Sequence, residues 1–397
     1  MIRAGLTALV AASLVALGAS GAAAQQKPPI KLAHTAPLSG ILAQVGILQA
    51  TAVDIAVADI NAKGGINGSQ IVMTHYDDQL KPDQAVLRIR EAAQAGNVAL
   101  IGPMSGTQWE TAAPLVNQLK MPSININANK PGITVRPWAL RLATTDDTGM
   151  PETMKDFIAH YPKVKKVVVM GDVREASGKA AVDLWQELAK SSGLQVVDTI
   201  TYTTGTTDFS PSAIKVKEAA PDAILISTIA PDALRLAREL KTQGVEVPIL
   251  ANSLLWPGVL PQAMSKTVGD AAAHWHTTGF STNEKSNGDA DLYKSFVERY
   301  SKKVLEDQAM AQYTPPNVAN SSLGYDVVLF LADIMKKKGI DGTTPPEKAR
   351  ELIKDGLMEA KEFRGVNDYK IRDTGDGYIP MRALHIDPAK GEWAFLN

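Results

Sequence analysis

The chain has 397 residues, a formal net charge of −1, 45% apolar residues and no cysteine. That balance excludes the basic excess needed to neutralise phosphates, so nucleic acid is not an expected partner. It also excludes thiol catalysis, cysteine-based metal sites and disulfide staples, and leaves enough apolar sequence for a sizeable core in about two domains. The first residues, "MIRAGLTALVAASLVALGASGAAAQQ", join Arg3 to an apolar run from about Leu6 to Leu17 and small residues ending Ala22-Ala23-Ala24. This pattern predicts a secretory signal cleaved before Gln25. The apolar run is shorter than the roughly 20 residues of a membrane span. Because Gln, not Cys, follows the cut, no lipid anchor is indicated.

The next segments alternate between the two secondary-structure periods. "IKLAHTAPLSG" predicts a buried strand running into a loop, and "LQATAVDIAVADINAKGG" a helix stopped at Gly64-Gly65. "GSQIVMTHYDD" is strand-like, and "KPDQAVLRIREAAQAG" is an amphipathic helix with Pro82 in its first turn. "NVALIGP", "QWETAAPLVNQLK" and "MPSININA" continue as strand, helix and strand. The alternation restarts at "GMPETMKDFIAHY" and runs through "VKKVVVMGD", "GKAAVDLWQELAKSSG", "LQVVDTITY", "SPSAIKVKEAAP", "DAILISTI", "PDALRLARELKTQG" and "VPILANS". Two such series predict an α/β fold of two doubly wound lobes with parallel sheets. Further on, helices are expected at "DADLYKSFVERYSKKV", "SSLGYDVVLFLADIMKKKG" and "PPEKARELIKDGLM". The tail from Val366 alternates like hairpin strands around glycine-rich turns.

Chemical motifs are few. Asp77 and Asp78 adjoin at a strand end, where successive side chains point to opposite faces. They cannot converge on one substrate, so turn-bonding is expected of them. Asp373-Thr374-Gly375 is a single triplet where acid-protease chemistry needs a pair, so it reads as a hairpin turn. His274 and His276 would share a strand face, but no acidic ligand accompanies them. No phosphate-loop, dinucleotide or nucleophile-elbow motif occurs. The polar signals that remain follow strands: Ser105, Gly106 and Thr107 in "IGPMSGTQW", and Asn127 and Asn129 in "SININANKPG". The carboxyl ends of strands are where open α/β sheets bind ligands, and helix N-termini there suit a carboxylate.

The segments "VADINAKGGINGSQIVMTHYDDQLKPDQAV", "IGPMSGT", "MPSININANKPGIT", "RLATTDD" and "LGYDVVLFLADIM" together resemble the branched-chain amino-acid (Leu/Ile/Val) receptor family of periplasmic ABC-importer solute-binding proteins. The resemblance covers nearly all of the chain after the leader. It implies a type I periplasmic-binding fold. One lobe would comprise residues 28–145 and 277–360, the other 149–274 and 363–397, hinged near 145–149, 274–277 and 360–363. It implies that Ser105, Gly106, Thr107, Asn127 and Asn129 hold a ligand carboxylate. Ser177, Ile229 and Ser253 would close from the second lobe, with Val45 and Tyr325 as neighbours.

Amino-acid binders of that family usually place aromatic residues near Val45, Ser177 and Ile229, and a carboxylate near Ser253. The family's disulfide position near the first-lobe site is occupied by Ser105. An unpaired buried ammonium is costly. The departures therefore favour an aromatic or other organic acid over a branched-chain or hydrophobic amino acid. The expected partners are a small carboxylate and membrane permease subunits, for a periplasmic monomer with no metal or cofactor. A sensor of the same fold and a secreted hydrolase are the alternatives.

Overall fold

The computed structural model describes residues 27–174, 176–255, 259–282, 285–311 and 318–396; the predicted leader lies outside them. Two doubly wound α/β lobes are built on two sheets. The first sheet contains β1 (Ile30–Ala36), β2 (Ile71–Asp77), β3 (Ala99–Ile101), β4 (Ser123–Asn125) and β5 (Ala139–Arg141), all parallel, in the order β2-β1-β3-β4-β5. The helices α1 (Ala43–Ala62), α2 (Pro82–Gln94) and α3 (Gly106–Gln118) connect them. β1 is buried at every position but one, as a strand covered on both faces must be.

α4 (Asp146–His160) leads into the second sheet. Its parallel part contains β6 (Lys166–Asp172), β7 (Gln195–Tyr202), β8 (Ala223–Ser227), β9 (Ile249–Ala251) and β10 (Trp275–Gly279), connected through α5 (Ala176–Ser191), α6 (Ser210–Ala219), α7 (Ala230–Thr242) and α8 (Val259–Val268). The chain then returns to the first lobe as α9 (Ala290–Glu306), α10 (Val318–Lys337) and α11 (Pro346–Glu359). α1 and α10 are long and apolar enough by composition to cross a membrane. Here they pack on each other within the first lobe's core, which explains why neither has a polar face.

The last strands are β11 (Glu362–Arg364), β12 (Asp368–Ile371), β13 (Gly377–Tyr378), β14 (Arg382–Asp387) and β15 (Glu392–Phe395). β14 and β15 join the second sheet antiparallel, completing the order β15-β14-β10-β9-β8-β6-β7, while β11 to β13 make a small sheet of their own. That small sheet is fastened to α10. The buried Asp326 carboxylate accepts hydrogen bonds from the Val366 and Asn367 N–H groups, at 2.7 and 3.0 Å, and from the Tyr369 hydroxyl at 2.8 Å.

Two crossings between lobes therefore fall later than the sequence reading placed them. The outward crossing follows Gly279 rather than lying at 274–277, because β10 pairs with β9 and β14. The final crossing is at 379–381 rather than 360–363, because β11 to β13 stay with α10. The elements not expected from sequence include β5 and β11, both three-residue strands, and α8.

The conspicuous motifs have local roles. Asp77 accepts from Leu38 N and Gln79 N, both at 2.9 Å, and from the Ser39 hydroxyl at 2.7 Å; Asp78 accepts from Leu80 N at 2.9 Å. The pair shapes the turn before α2 and pins the loop after β1. Asp373-Thr374-Gly375 is the turn between β12 and β13, with Gly375 at φ +88°. His276 is buried, its ring within hydrogen-bond distance of the Ile249 and His274 carbonyls and of the Tyr161 hydroxyl. Burial pushes its pKa down to about 3, so it is neutral.

Candidate functional site: the cleft between the lobes

In a sheet ordered 2-1-3-4-5 the strand order reverses between β1 and β3, and the crevice outside those strand ends is the natural ligand site. The second sheet reverses in the same way between β6 and β8. The two crevices face each other across one cavity of ≈ 570 Å³, a size typical of small-molecule sites. Crossing segments border it through Ala143, Thr144, Phe280 and Met381.

The first-lobe wall is built from the loops after β1, β3 and β4. Leu42 and Val45 come from the start of α1, beyond the loop that Asp77 pins. Met104, Ser105, Gly106 and Thr107 come from the β3–α3 turn. Gly102 lets that turn lie against β1: a Cβ there would sit 2.2 Å from the Thr35 carbonyl oxygen, at φ +96°. Ser105 is the N-cap of α3 in a reciprocal capping box. Its hydroxyl accepts from Gln108 N at 3.2 Å, while Gln108 Oε1 accepts from Ser105 N at 3.3 Å. The N-terminus of α3, with its partial positive charge, thus borders the cavity through Gly106 and Thr107.

Asn127 lines the cavity from the loop after β4. Its amide is held at both ends: Gln49 Nε2 donates to Asn127 Oδ1 at 2.5 Å, and Asn127 Nδ2 donates to Oδ1 of Asn320, itself a lining residue, at 3.0 Å. His34 and His75 lie further back, with Nδ1 atoms 2.9 Å apart and His75 reaching Asp54 at 2.9 Å. Burial first, then the neighbouring His75, lowers the His34 pKa to about 3.

The second-lobe wall comes from the ends of β6, β8 and β9. Gly171 admits α5 close to β6, since a Cβ there would stand 2.5 Å from the Val182 side chain. The N-terminus of α5 thereby reaches the cavity at Ser177 and Gly178, and that of α7 does so at Ile229 and Ala230. The end of β8 is held by two side chains: Trp185 Nε1 donates to the Ile226 carbonyl at 3.2 Å, and the Tyr202 hydroxyl to the Ser227 carbonyl at 2.9 Å. Asp172 and Arg174 are the charged residues among the described lining. Burial opposes ionisation of Asp172, but the N–H groups of Thr204 (2.6 Å) and Arg174 (2.8 Å) bond its two oxygens and hold the carboxyl below the usual range.

Eight of the ten residues singled out from sequence line this cavity: Val45, Ser105, Gly106, Thr107, Asn127, Ser177, Ile229 and Ser253. Asn129 stands behind it. Its Nδ2 donates to Asp146 Oδ1 at 2.9 Å and to Ser253 Oγ at 3.0 Å, while Asn252 donates to the other Asp146 oxygen at 3.0 Å. This cluster ties the first lobe to the second at the first crossing. Tyr325 is outside the cavity, buried against Phe296, with its hydroxyl donating to Asp59 at 2.6 Å. Asp172, Arg174, Ser227 and Thr228 were not singled out. They lie at strand ends, so the rule that found Ser105 also points to them. Asn320 and Leu323, on the mostly buried α10, carry no such signal.

Paired switch points facing one cavity define the two-lobed architecture of type I periplasmic binding proteins. The chain belongs to that family: the family model described as periplasmic binding protein matches residues 29–391. The Leu/Ile/Val-binding protein of Citrobacter freundii is 28% identical over 244 residues, 61% of this chain and 65% of that one; the match thus spans less than two thirds of that relative. Among solved structures, the branched-chain amino acid transporter substrate binding protein LivJ from Streptococcus pneumoniae, in complex with isoleucine, shares the fold. Its TM-score is 0.77 at 21% identity, covering 92% of this chain and 97% of that one. A solute binding protein of an ABC transporter from Rhodopseudomonas palustris, in complex with 3,4-dihydroxy benzoic acid, shares it too, with a TM-score of 0.75 at 20% identity over 92% and 95% of the two chains.

Proposed function

We propose that this protein is the periplasmic solute receptor of an ABC importer. It captures a small carboxylate between its lobes and presents the closed form to membrane permease subunits. The observation that carries this reading is the interlobe cavity whose first-lobe wall is the N-terminus of α3, flanked by Ser105, Thr107 and the oriented amide of Asn127. Hydrogen-bond donors and a helix dipole at a cleft suit an anion. The relative named for leucine, isoleucine and valine, and the solved structures holding isoleucine and a hydroxylated benzoic acid, support a small acid as cargo. Binding is followed by release of an unaltered ligand.

The cavity favours an acid without an ammonium group. A ligand ammonium in this cleft would need a counter-charge, and the one lining carboxylate among the described residues, Asp172, already accepts two backbone hydrogen bonds. Isothermal titration against leucine and against benzoate-type acids tests this reading. Binding of aromatic acids with no response to leucine is expected; tight leucine binding with no response to those acids rejects it.

A further inference from the structure

The two lobes already meet around the cavity. α3 of the first lobe packs against α5 of the second. Asn129 Nδ2 donates across to Ser253 Oγ at 3.0 Å. Beside the lining residues Leu42 and Thr204, a Cβ built on Gly205 would stand 3.8 Å from Ile41 Cδ1. The cavity of ≈ 570 Å³ is therefore the room inside a cleft whose walls touch, not the gap between separated lobes. That room lies well inside the range that takes drug-sized ligands, and a branched-chain amino acid or a single benzene ring fills only part of it.

The walls facing that room are aliphatic on both sides. Leu42, Val45 and Leu80 line it from the first lobe, Ile229 and Leu254 from the second, and all of them are half-buried rather than closed over by protein. Aliphatic surface left facing water gains nothing, whereas an apolar group laid over it contributes in proportion to the area covered. No charged side chain lines the first-lobe wall among the described residues. Beyond the donors at the start of α3, that wall offers an ionised group no partner and an apolar body a continuous surface.

We propose that the ligand is a monocarboxylate with a long apolar body, larger than a leucine side chain or one benzene ring: a medium-chain alkanoate or an aryl-alkanoate. Its acid lies at the start of α3. Its body lies between Leu42 and Val45 on one side and Ile229 and Leu254 on the other, so these side chains select by length. This rests on the carboxylate reading above and adds the size and polarity of the rest of the molecule.

The test is calorimetric titration of the full-length mature protein with two series: butanoate, hexanoate and octanoate, then benzoate, 3-phenylpropanoate and 5-phenylpentanoate. Within at least one series, affinity is expected to rise about threefold per added methylene, roughly a hundredfold from the shortest acid to the longest. Val45→Phe and Leu254→Trp each fill part of the room from one wall. Each should cut the longest-to-shortest ratio about tenfold, with its unfolding temperature confirming that it folds. Affinity that is flat or falls with length in both series overturns the proposal and leaves the carboxylate reading intact. A ratio unchanged in both variants overturns the placement of the body. Octanamide binding as tightly as octanoate overturns the carboxylate reading and leaves the apolar body standing. No binding by any of the acids overturns both.

Discussion

Removing Asp376 should unfold this protein more easily than almost any other single truncation. Arg141, at the end of β5, is completely buried, and its Nε and Nη2 donate to Asp376 Oδ1 at 2.9 and 2.6 Å. Its Nη1 donates to the carbonyls of Ala128 and Lys130, at 2.9 and 2.7 Å. The guanidinium thus clamps the turn between β12 and β13 to the loop that carries Asn127. Asp376→Ala leaves that cation buried without its counter-charge, which costs about 3–5 kcal/mol. A loss of that size lowers the unfolding temperature on the order of 10 °C for lobes of this length. Urea unfolding followed by far-UV circular dichroism measures it. Arg141→Met combined with Asp376→Leu removes both charges and should recover most of the loss. A loss below about 1 kcal/mol for Asp376→Ala would refute the reasoning, because water would then be replacing the carboxylate.

The same pair sets a pH dependence. Burial alone would raise the Asp376 carboxyl, but Arg141 and the hydroxyls of Thr134 and Thr374 hold it below the ordinary value. Its contribution is therefore present above the unfolded-state pKa and disappears as pH falls through the folded one, a loss that Asp376→Asn should flatten in acid unfolding curves. Asp146 has the opposite sign: burial raises it from 3.8 to about 7. Its contribution is present below pH 3.8 and is lost as pH rises toward 7, so Asp146→Asn should be relatively more stable than the parent at pH 8 than at pH 4 by thermal melts. Thr107→Ala should weaken carboxylate binding by about 1 kcal/mol or more through loss of a hydroxyl at the α3 terminus; a thermal-shift titration with unchanged affinity would refute that placement. Gln49→Leu should weaken binding several-fold by releasing Asn127 Oδ1, and an unaltered dissociation constant would show that the amide keeps its orientation without Gln49.

Much of the site was legible because strands and their following loops leave local marks. Ser105, Gly106 and Thr107 combine an apolar strand, a capping residue and a helical period within a few positions, whereas Ser177 and Ser253 came only from the family resemblance. Asn129 and Tyr325 show where that reasoning stops. Asn129 sits two residues beyond Asn127, yet it faces Asp146 and the crossing rather than the cleft. Tyr325 lies on a helix whose apolar residues surround it, so no periodicity tells which neighbour each side chain meets.

The amino-acid sequence by itself determined the alternation of strand and helix, the restart that makes two lobes, and the loops able to meet an anion. Those properties depend on neighbours a few residues apart. Only the tertiary structure decided which sheet each late strand joined, that Arg141 pairs with Asp376, and that Arg174, Ser177 and Ser227 share a wall. Hydrogen-bond ladders and burial join residues far apart in the chain, and their energies exist only once the lobes have packed.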